Sequence, residues 1–332
     1  MFKKYNSIEN TYRTEFLNRI KGHGFWEDEF VVQEKTHGAN LSYWTDNGVD
    51  FYAGKRTGKI EEKEAFYNYE IILGELKPKF MRIWDSLKIK SPDLLQMTIF
   101  GELIGGNYPH PEVTADKKAM KVQKGVYYSP QNHFYAFDIL LNSEKYVDVE
   151  EANVYFEKEE LLYAKTLFKG SFSECLEYRN SFPSTVPAIL GLPEIEDNIC
   201  EGVVIRPAIT SYFNNGTRVI LKNKNETWAE RKQFRKSIRK EEQLPEKIVK
   251  LREAISTYVT ENRLNNVLSK IGAVTLKDFG KVMGLFSKDI VEDFLKDYEE
   301  VVNDLEKQEW KSVKKSISYE ASGMVRNKLK RL

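Results

Sequence analysis

The chain has 332 residues, 51 Lys and Arg against 50 Asp and Glu, and a net charge of +1, so no overall basic field marks it as a partner for polyanions. A hydrophobic share of 41% with 13% aromatics excludes a disordered chain, and the length suits two domains. No apolar run approaches the ~18–20 residues of a membrane-spanning helix. The residues from Met1 to Ser7 lack a signal-peptide core. Cys175 and Cys200, without a C-x-x-C pair, exclude a disulfide framework and a thiolate zinc site, so an intracellular, cytoplasmic setting is expected.

In chain order, the first informative element is a β-branched run that ends in Glu34-Lys35-Thr36-His37-Gly38-Ala39-Asn40. Lys35 therefore sits where a strand gives way to a turn. A lysine becomes a nucleophile when it is desolvated or held among other cations, because both lower an ammonium pKa. An isolated K-x-x-G is more often a surface lysine beside a tight turn. Asp46-Asn47-Gly48 between alternating runs signals a hairpin. It would pair the strand after Lys35 with Phe51-Tyr52-Ala53-Gly54-Lys55-Arg56, where two cations close a strand. Glu61 to about Leu87 reads as a helix broken near Lys77-Pro78. Thr98 to Gly106 sets one carboxylate, Glu102, in an apolar run closing on two glycines.

Lys117 to Tyr128 is irregular, and His133 to Leu140 carries aromatics with a single acid, Asp138. Val149 to about Lys165 reads as helix, and Ser181 to Asn198 as a loop-rich connection. Glu201 opens a β-branched run. Lys222 and Lys224 end the last strand at i and i+2, on one face of the pleat. Between Lys222 and Lys240 stand eight basic residues and two acids. If helical, this stretch aligns Arg231, Arg235 and Arg239 in one row and Lys232, Lys236 and Lys240 in the next, a phosphate-tracking patch if it adjoins a nucleotide site.

Near Pro245 the pattern turns wholly helical, with Pro245 suiting a first helical turn, Gly272 a C-cap, and Thr275 with Asp278 a capping box. The expected division is an α+β domain over 1–243 and a helical domain over 244–332.

Together these residues form an inventory for holding a nucleotide: an aromatic to stack, carboxylates for a ribose hydroxyl and Mg²⁺, and cations for phosphates. Each also has a plainer reading. Phe137 alone suits a core position, Glu102 an edge strand, and Asp138 a structural hydrogen-bond acceptor.

The order of the motifs resembles that of the covalent nucleotidyltransferases, namely ATP-dependent DNA ligases, RNA ligases and mRNA capping enzymes. Lys35-Thr36-His37-Gly38-Ala39-Asn40 is similar to the form found in the RNA ligase 2 family. So are Met1-Phe2-Lys3-Lys4-Tyr5, Asn262 to Asn266, and Lys277 to Leu285.

The resemblance implies a ligase-type nucleotidyltransferase domain with antiparallel sheets, followed by a small helical domain that engages RNA. It implies that Lys35 attacks ATP to give lysyl-AMP, that Lys222 and Lys224 neutralise phosphate charge, and that Mg²⁺ or Mn²⁺ assists. Glu102 would fix the ribose and Phe137 would stack on adenine. The backbone at Glu34 and Thr36 would bond the base. Arg56 and His37 would contact phosphate, and Glu201 and Asn40 would serve the metal. Arg56 and Arg263 would contact RNA. The implied activity is sealing of 3′-OH and 5′-phosphate RNA ends, above all nicks in duplex RNA, by a monomer.

A GTP-using capping enzyme is disfavoured by His37 and by a C-terminal region without the strand-rich look of an OB-fold. A non-catalytic RNA-binding scaffold is disfavoured because Lys35, Glu102, Glu201, Lys222 and Lys224 are present together.

Overall fold

Alternating apolar residues build two sheets around the lysine-bearing turn. The computed structural model describes residues 2–62, 64–228 and 246–331. The first of two compact units, residues 1–227, opens with β1 (Glu9–Asn10), α1 (Thr14–Gly22), β2 (Glu29–Lys35), β3 (Ala39–Thr45), β4 (Tyr52–Lys55) and β5 (Gly58–Lys59). It continues through α2 (Tyr69–Lys90), β6 (Met97–Gly105), β7 (Asn132–Leu141), β8 (Lys145–Tyr146), α3 (Val149–Lys158) and β9 (Thr166–Ser171). It closes with α4 (Phe172–Glu177), α5 (Thr185–Ile189), β10 (Gly202–Pro207) and β11 (Leu221–Lys224).

One sheet runs β1-β11-β10-β2-β9, antiparallel except for the parallel β1–β11 pair. The other runs β5-β4-β3-β6-β7-β8 and is antiparallel throughout.

Period two then decides the layers. Phe30 and Val32 of β2, Val203 and Ile205 of β10 and Leu221 of β11 pack with Phe16 and Ile20 of α1 and with Phe172 of α4. In the other sheet, Leu41, Tyr43, Ile99, Leu103 and Phe134 bury Ile72, Phe80, Ile83, Trp84 and Leu87 of α2. The remaining face of that sheet presents Phe100 and Leu140, which meet Tyr5 and Ile220 in a third core. The expected hairpin forms, with Trp44 opposite Tyr52. Its connection is longer than a two-residue turn, and Asn47 Oδ1 accepts from the backbone N–H groups of Val49 and Asp50.

Two helix limits differ from expectation. Residues 61, 62 and 64–68 are not helical, and Tyr67 adopts a left-handed φ of 48° just before α2 begins. Once begun, α2 runs straight through Pro78, its apolar face on the sheet outweighing the ~3 kcal/mol a mid-helix proline costs. Similarly, α3 stops at Lys158 rather than near Lys165. Glu160 turns left-handed, and the following residues pair with β7 through Ala136.

The second unit, residues 228–332, holds α6 (Glu246–Ser256), α7 (Glu261–Ile271), α8 (Phe279–Asn303) and α9 (Lys307–Leu329) around Ile255, Leu264, Phe286, Phe294 and Val313. Gly272 caps α7, and Thr275 with Asp278 forms the expected box. The expected boundary at 243/244, the Pro245 position and the basic rows from Arg231 to Lys240 lie outside the described residues.

Arg263 corrects an expectation. It is 2% exposed, and its guanidinium bonds Asp289 at 2.8 Å and Asp293 at 2.6 Å. Those acids stand one helical turn apart on α8, so the cation is a buried internal tie of the helical unit rather than an RNA contact. Replacing it by methionine strands two carboxylates, which Lys270 and Lys296 only partly offset. Arg263→Met should therefore lower the stability of this unit by about 3 kcal/mol, the low end for breaking a buried ion pair, read by chemical denaturation.

Candidate active site

The register of the first sheet puts Lys35, Gly202 and Lys224 side by side on three neighbouring strands. One step along, Gln33, Val204 and Lys222 form the adjacent row on the same face. The pairing of Lys222 with Lys224 expected from their spacing thus holds. Glu201, just before β10, is 1% exposed. Its Oε2 lies 2.7 Å from Lys35 Nζ and its Oε1 2.6 Å from Lys224 Nζ, with His37 Nδ1 at 3.8 Å from Oε2. Burial by itself would raise this carboxyl, but Lys224, Lys35 and His37 together outweigh it and hold the group down at about 2.

Next to it, Gly202 has a φ of 146°, and a Cβ there would come 2.1 Å from the carbonyl oxygen of Asn223. Only glycine lets β10 and β11 close around Glu201.

Residues 36–38 carry the chain from the end of β2 into β3 of the other sheet, so the lysine lies at the crossing. Thr36 and His37 are buried there, and the His37 N–H donates to Tyr128 Oη at 2.8 Å. The Gly38 N–H donates to Glu102 Oε1 at 3.1 Å, and a Cβ on Gly38 would lie 2.2 Å from the carbonyl oxygen of Leu103. This glycine lets the crossing press onto β6. Asn40 stands directly opposite Glu102 in the β3–β6 register and shares its face. Burial pushes the Glu102 carboxyl up to about 7. The Glu201 charge adds to that rise, while Lys35, the Gly38 N–H and Arg56 oppose it.

Arg56 follows β4, and its Nη1 donates to the carbonyl of Tyr5 at 2.6 Å. Phe137 occupies an irregularity in the β6–β7 register, where Gly101 faces Ala136 and Phe100 faces Asp138. The extra residue sets Phe137 and Asp138 on the same side of the sheet. The half-buried Phe137 ring meets Tyr5 edge-on at 5.0 Å.

The structure therefore gathers Lys35, His37, Glu102, Glu201, Arg56 and Lys224 into one electrostatic cluster, with Asn40, Phe137 and Lys222 on the faces that carry it. The Glu34 side chain points the other way, as alternation demands. It accepts from Ser184 Oγ at 2.6 Å, Thr185 N at 2.8 Å and Thr185 Oγ1 at 2.6 Å, which leaves only its backbone for a base. Arg263 belongs to the other unit.

Sequence reading missed the support. Asp138 takes Arg206 at 2.8 Å and Arg218 at 2.7 Å, and Arg206 also bonds the Phe137 carbonyl at 2.8 Å and Gln33 Oε1 at 3.0 Å. A charged residue closing an apolar strand, as in Val203-Val204-Ile205-Arg206, was the available signal. Tyr128 and Tyr5 had none.

Two mainly antiparallel sheets joined at a strand-end lysine, with carboxylates and cations around it, define a ligase-type nucleotidyltransferase. A family model described as RNA ligase matches residues 28–224, and one described as T4 RNA ligase 2 C-terminal matches residues 241–323. Mitochondrial RNA-editing ligase 2 of Trypanosoma brucei brucei is 30% identical, over 90% of this chain and 84% of that protein. RNA-editing ligase 1 of the same organism is 28% identical, over 93% and 79%. Among solved structures, Naegleria gruberi RNA ligase with PPi superposes with a TM-score of 0.42 at 13% identity, covering 68% of this chain and 57% of that one. The chain belongs to the RNA ligase family, in its RNA ligase 2 branch.

The opposed shifts of the two carboxylates yield a pH signature. Glu102, raised from 4.5 to about 7, favours the folded state fully below about 4.5, and that contribution is lost as pH rises through about 7. Glu201, lowered to about 2, acts with the opposite sign and only below about 4.5. Between pH 5 and 7, wild type should therefore lose stability relative to Glu102→Gln. Denaturant titrations across that range check this, and a constant difference would mean that Glu102 is already ionised at pH 5.

Proposed function

We propose that the protein is an ATP-dependent RNA ligase that joins 3′-OH and 5′-phosphate RNA ends, chiefly nicks in duplex RNA, acting as an intracellular monomer. The observation that carries this reading is the row Lys35–Gly202–Lys224 with Glu201 clamped between its two ammonium groups and Glu102 within electrostatic reach of the same lysine.

In the first step the Lys35 amine attacks the α-phosphorus of ATP. A P–N bond forms, the bond to the β-phosphate oxygen breaks, and pyrophosphate leaves a lysyl-AMP. Lys35 must shed a proton first. Glu201, ion-paired through one oxygen to Lys35 and through the other to Lys224, serves to aim the lysine. Phe137 offers a ring face to adenine, and the Glu34 and Thr36 backbone its edge. Glu102 faces the ribose, and Arg56, His37, Lys222 and Lys224 face the phosphates. AMP then passes to the RNA 5′-phosphate, and attack by the 3′-hydroxyl expels it.

Oxygen donors such as Glu201 and Asn40 suit Mg²⁺ or Mn²⁺. Carboxylate and amide oxygens of this kind hold such a cation together with substrate phosphates. Such an ion would supply charge neutralisation on the phosphates. We assign nucleotide transfer to residues 1–243 and RNA engagement to residues 244–332.

Labelling with α-³²P-ATP and Mg²⁺, after pyrophosphate treatment to strip prior AMP, should give a covalent band that Lys35→Ala abolishes and GTP does not produce. A GTP band would point to a capping-type enzyme, and no band from folded protein to a non-catalytic scaffold. A chain ending at residue 243 should still label but seal nicked RNA at least about tenfold more slowly, as expected when several phosphate contacts go. Sealing at the full-length rate would refute the role given to the helical unit.

A further inference from the structure

We propose that Tyr5 is a positioning residue that sets the base-stacking Phe137 and the phosphate-facing Arg56 in one frame, so that the N-terminal segment tunes the fit of the nucleotide pocket. This rests on the nucleotidyl-transfer reading above.

Three separate groups of Tyr5 reach three parts of the site. Its carbonyl accepts from Arg56 Nη1 at 2.6 Å. Its hydroxyl donates to Asp138 Oδ2 at 2.5 Å and accepts from Arg218 Nη1 at 3.3 Å. Its ring stands across that of Phe137, with ring centres 5.0 Å apart, and is tilted against Phe100, also at 5.0 Å. The residue is 6% exposed, so these contacts are made out of water, where each is strengthened.

The surroundings fix Tyr5 from both ends. Phe2 lies over β4, so close that a Cβ on Gly54 would come 2.4 Å from its ring, and that ring meets Trp44 at 5.7 Å. The segment thus spans from the strand that delivers Arg56 to the strand that delivers Phe137. On the far side, Asp138 is held by Arg206, which bonds the Phe137 carbonyl and reaches Gln33, two residues before Lys35 on the same face of β2. A continuous chain of contacts therefore runs from the strand of Lys35 through Arg206, Asp138 and the Phe137 backbone to Tyr5 and on to Arg56. A tyrosine that merely filled core space would not need its carbonyl committed to Arg56 and its hydroxyl to Asp138.

Because Phe137 meets the base alike in the bound and reacting states, loosening it weakens ATP binding more than it slows chemistry. The test is lysine adenylylation by the full chain as a function of ATP concentration, with Tyr5→Phe, Tyr5→Leu, Phe137→Leu and the Tyr5→Leu/Phe137→Leu double variant. Tyr5→Leu should raise the half-saturating ATP concentration about tenfold, with a limiting rate within about twofold, the range a lost edge-to-face ring contact supports. Tyr5→Phe, which keeps the ring and leaves Asp138 its two arginines, should raise it about threefold, in line with one lost hydrogen bond. The double variant should be no weaker than Phe137→Leu, since two residues acting through one contact are not additive.

Additive penalties, or an unchanged half-saturation in Tyr5→Phe and Tyr5→Leu, would overturn the role given to Tyr5. If Tyr5→Leu does not fold, Tyr5→Phe decides alone. A wild-type protein that forms no adduct would instead refute the nucleotidyl-transfer reading itself.

Discussion

A carboxylate that is 1% exposed cannot stay ionised unless cations surround it, and Glu201 meets that demand with Lys35 on one oxygen and Lys224 on the other. Much of the site follows from this one triad. The two lysines must come from strands on either side of β10, so β2, β10 and β11 must be neighbours in register. The residue after Glu201 must be glycine for the strands to close. Lys35 is consequently held by its own counter-ion, the preorganisation that the proposed attack by this lysine would use.

The second constraint is the crossing at residues 36–38, where the chain leaves one sheet for the other. It brings Glu102, the more weakly acidic carboxyl, to face the same lysine that neutralises Glu201. Two glutamates in one cleft are thereby driven to opposite ends of the carboxyl range, one by burial and the other by ion pairing. Asp138 then fixes the strand that carries Phe137. Two guanidinium groups and a tyrosine hydroxyl satisfy it fully, and a fully satisfied buried network rigidifies what surrounds it.

The helical unit shows the same chemistry used for a different end. Arg263 sits among amides and looks, in one dimension, like a cation offered to a backbone phosphate. Asp289 and Asp293 claim it instead, and their i, i+4 spacing on α8 makes them a single acceptor surface. Nothing in the local sequence distinguishes an arginine that faces solvent from one that closes a core.

The sequence by itself determined the strand-end placement of Lys35, the shared face of Lys222 and Lys224, the β3–β4 hairpin, the capping box at Thr275 and the change to helix in the C-terminal part. Each of these depends on local periodicity or turn chemistry within a few residues. Helix limits at Tyr67 and Glu160 escaped it, because a non-glycine residue in left-handed backbone is imposed by neighbours distant in the chain. Only the tertiary structure decided that Glu201 bridges Lys35 and Lys224, that the Glu34 side chain turns away to Ser184 and Thr185, and that Asp138 gathers Arg206, Arg218 and Tyr5. These are contacts across 23 to 166 positions of sequence, and whether a charge is a ligand, a counter-ion or a core tie depends on which partner folding brings to it.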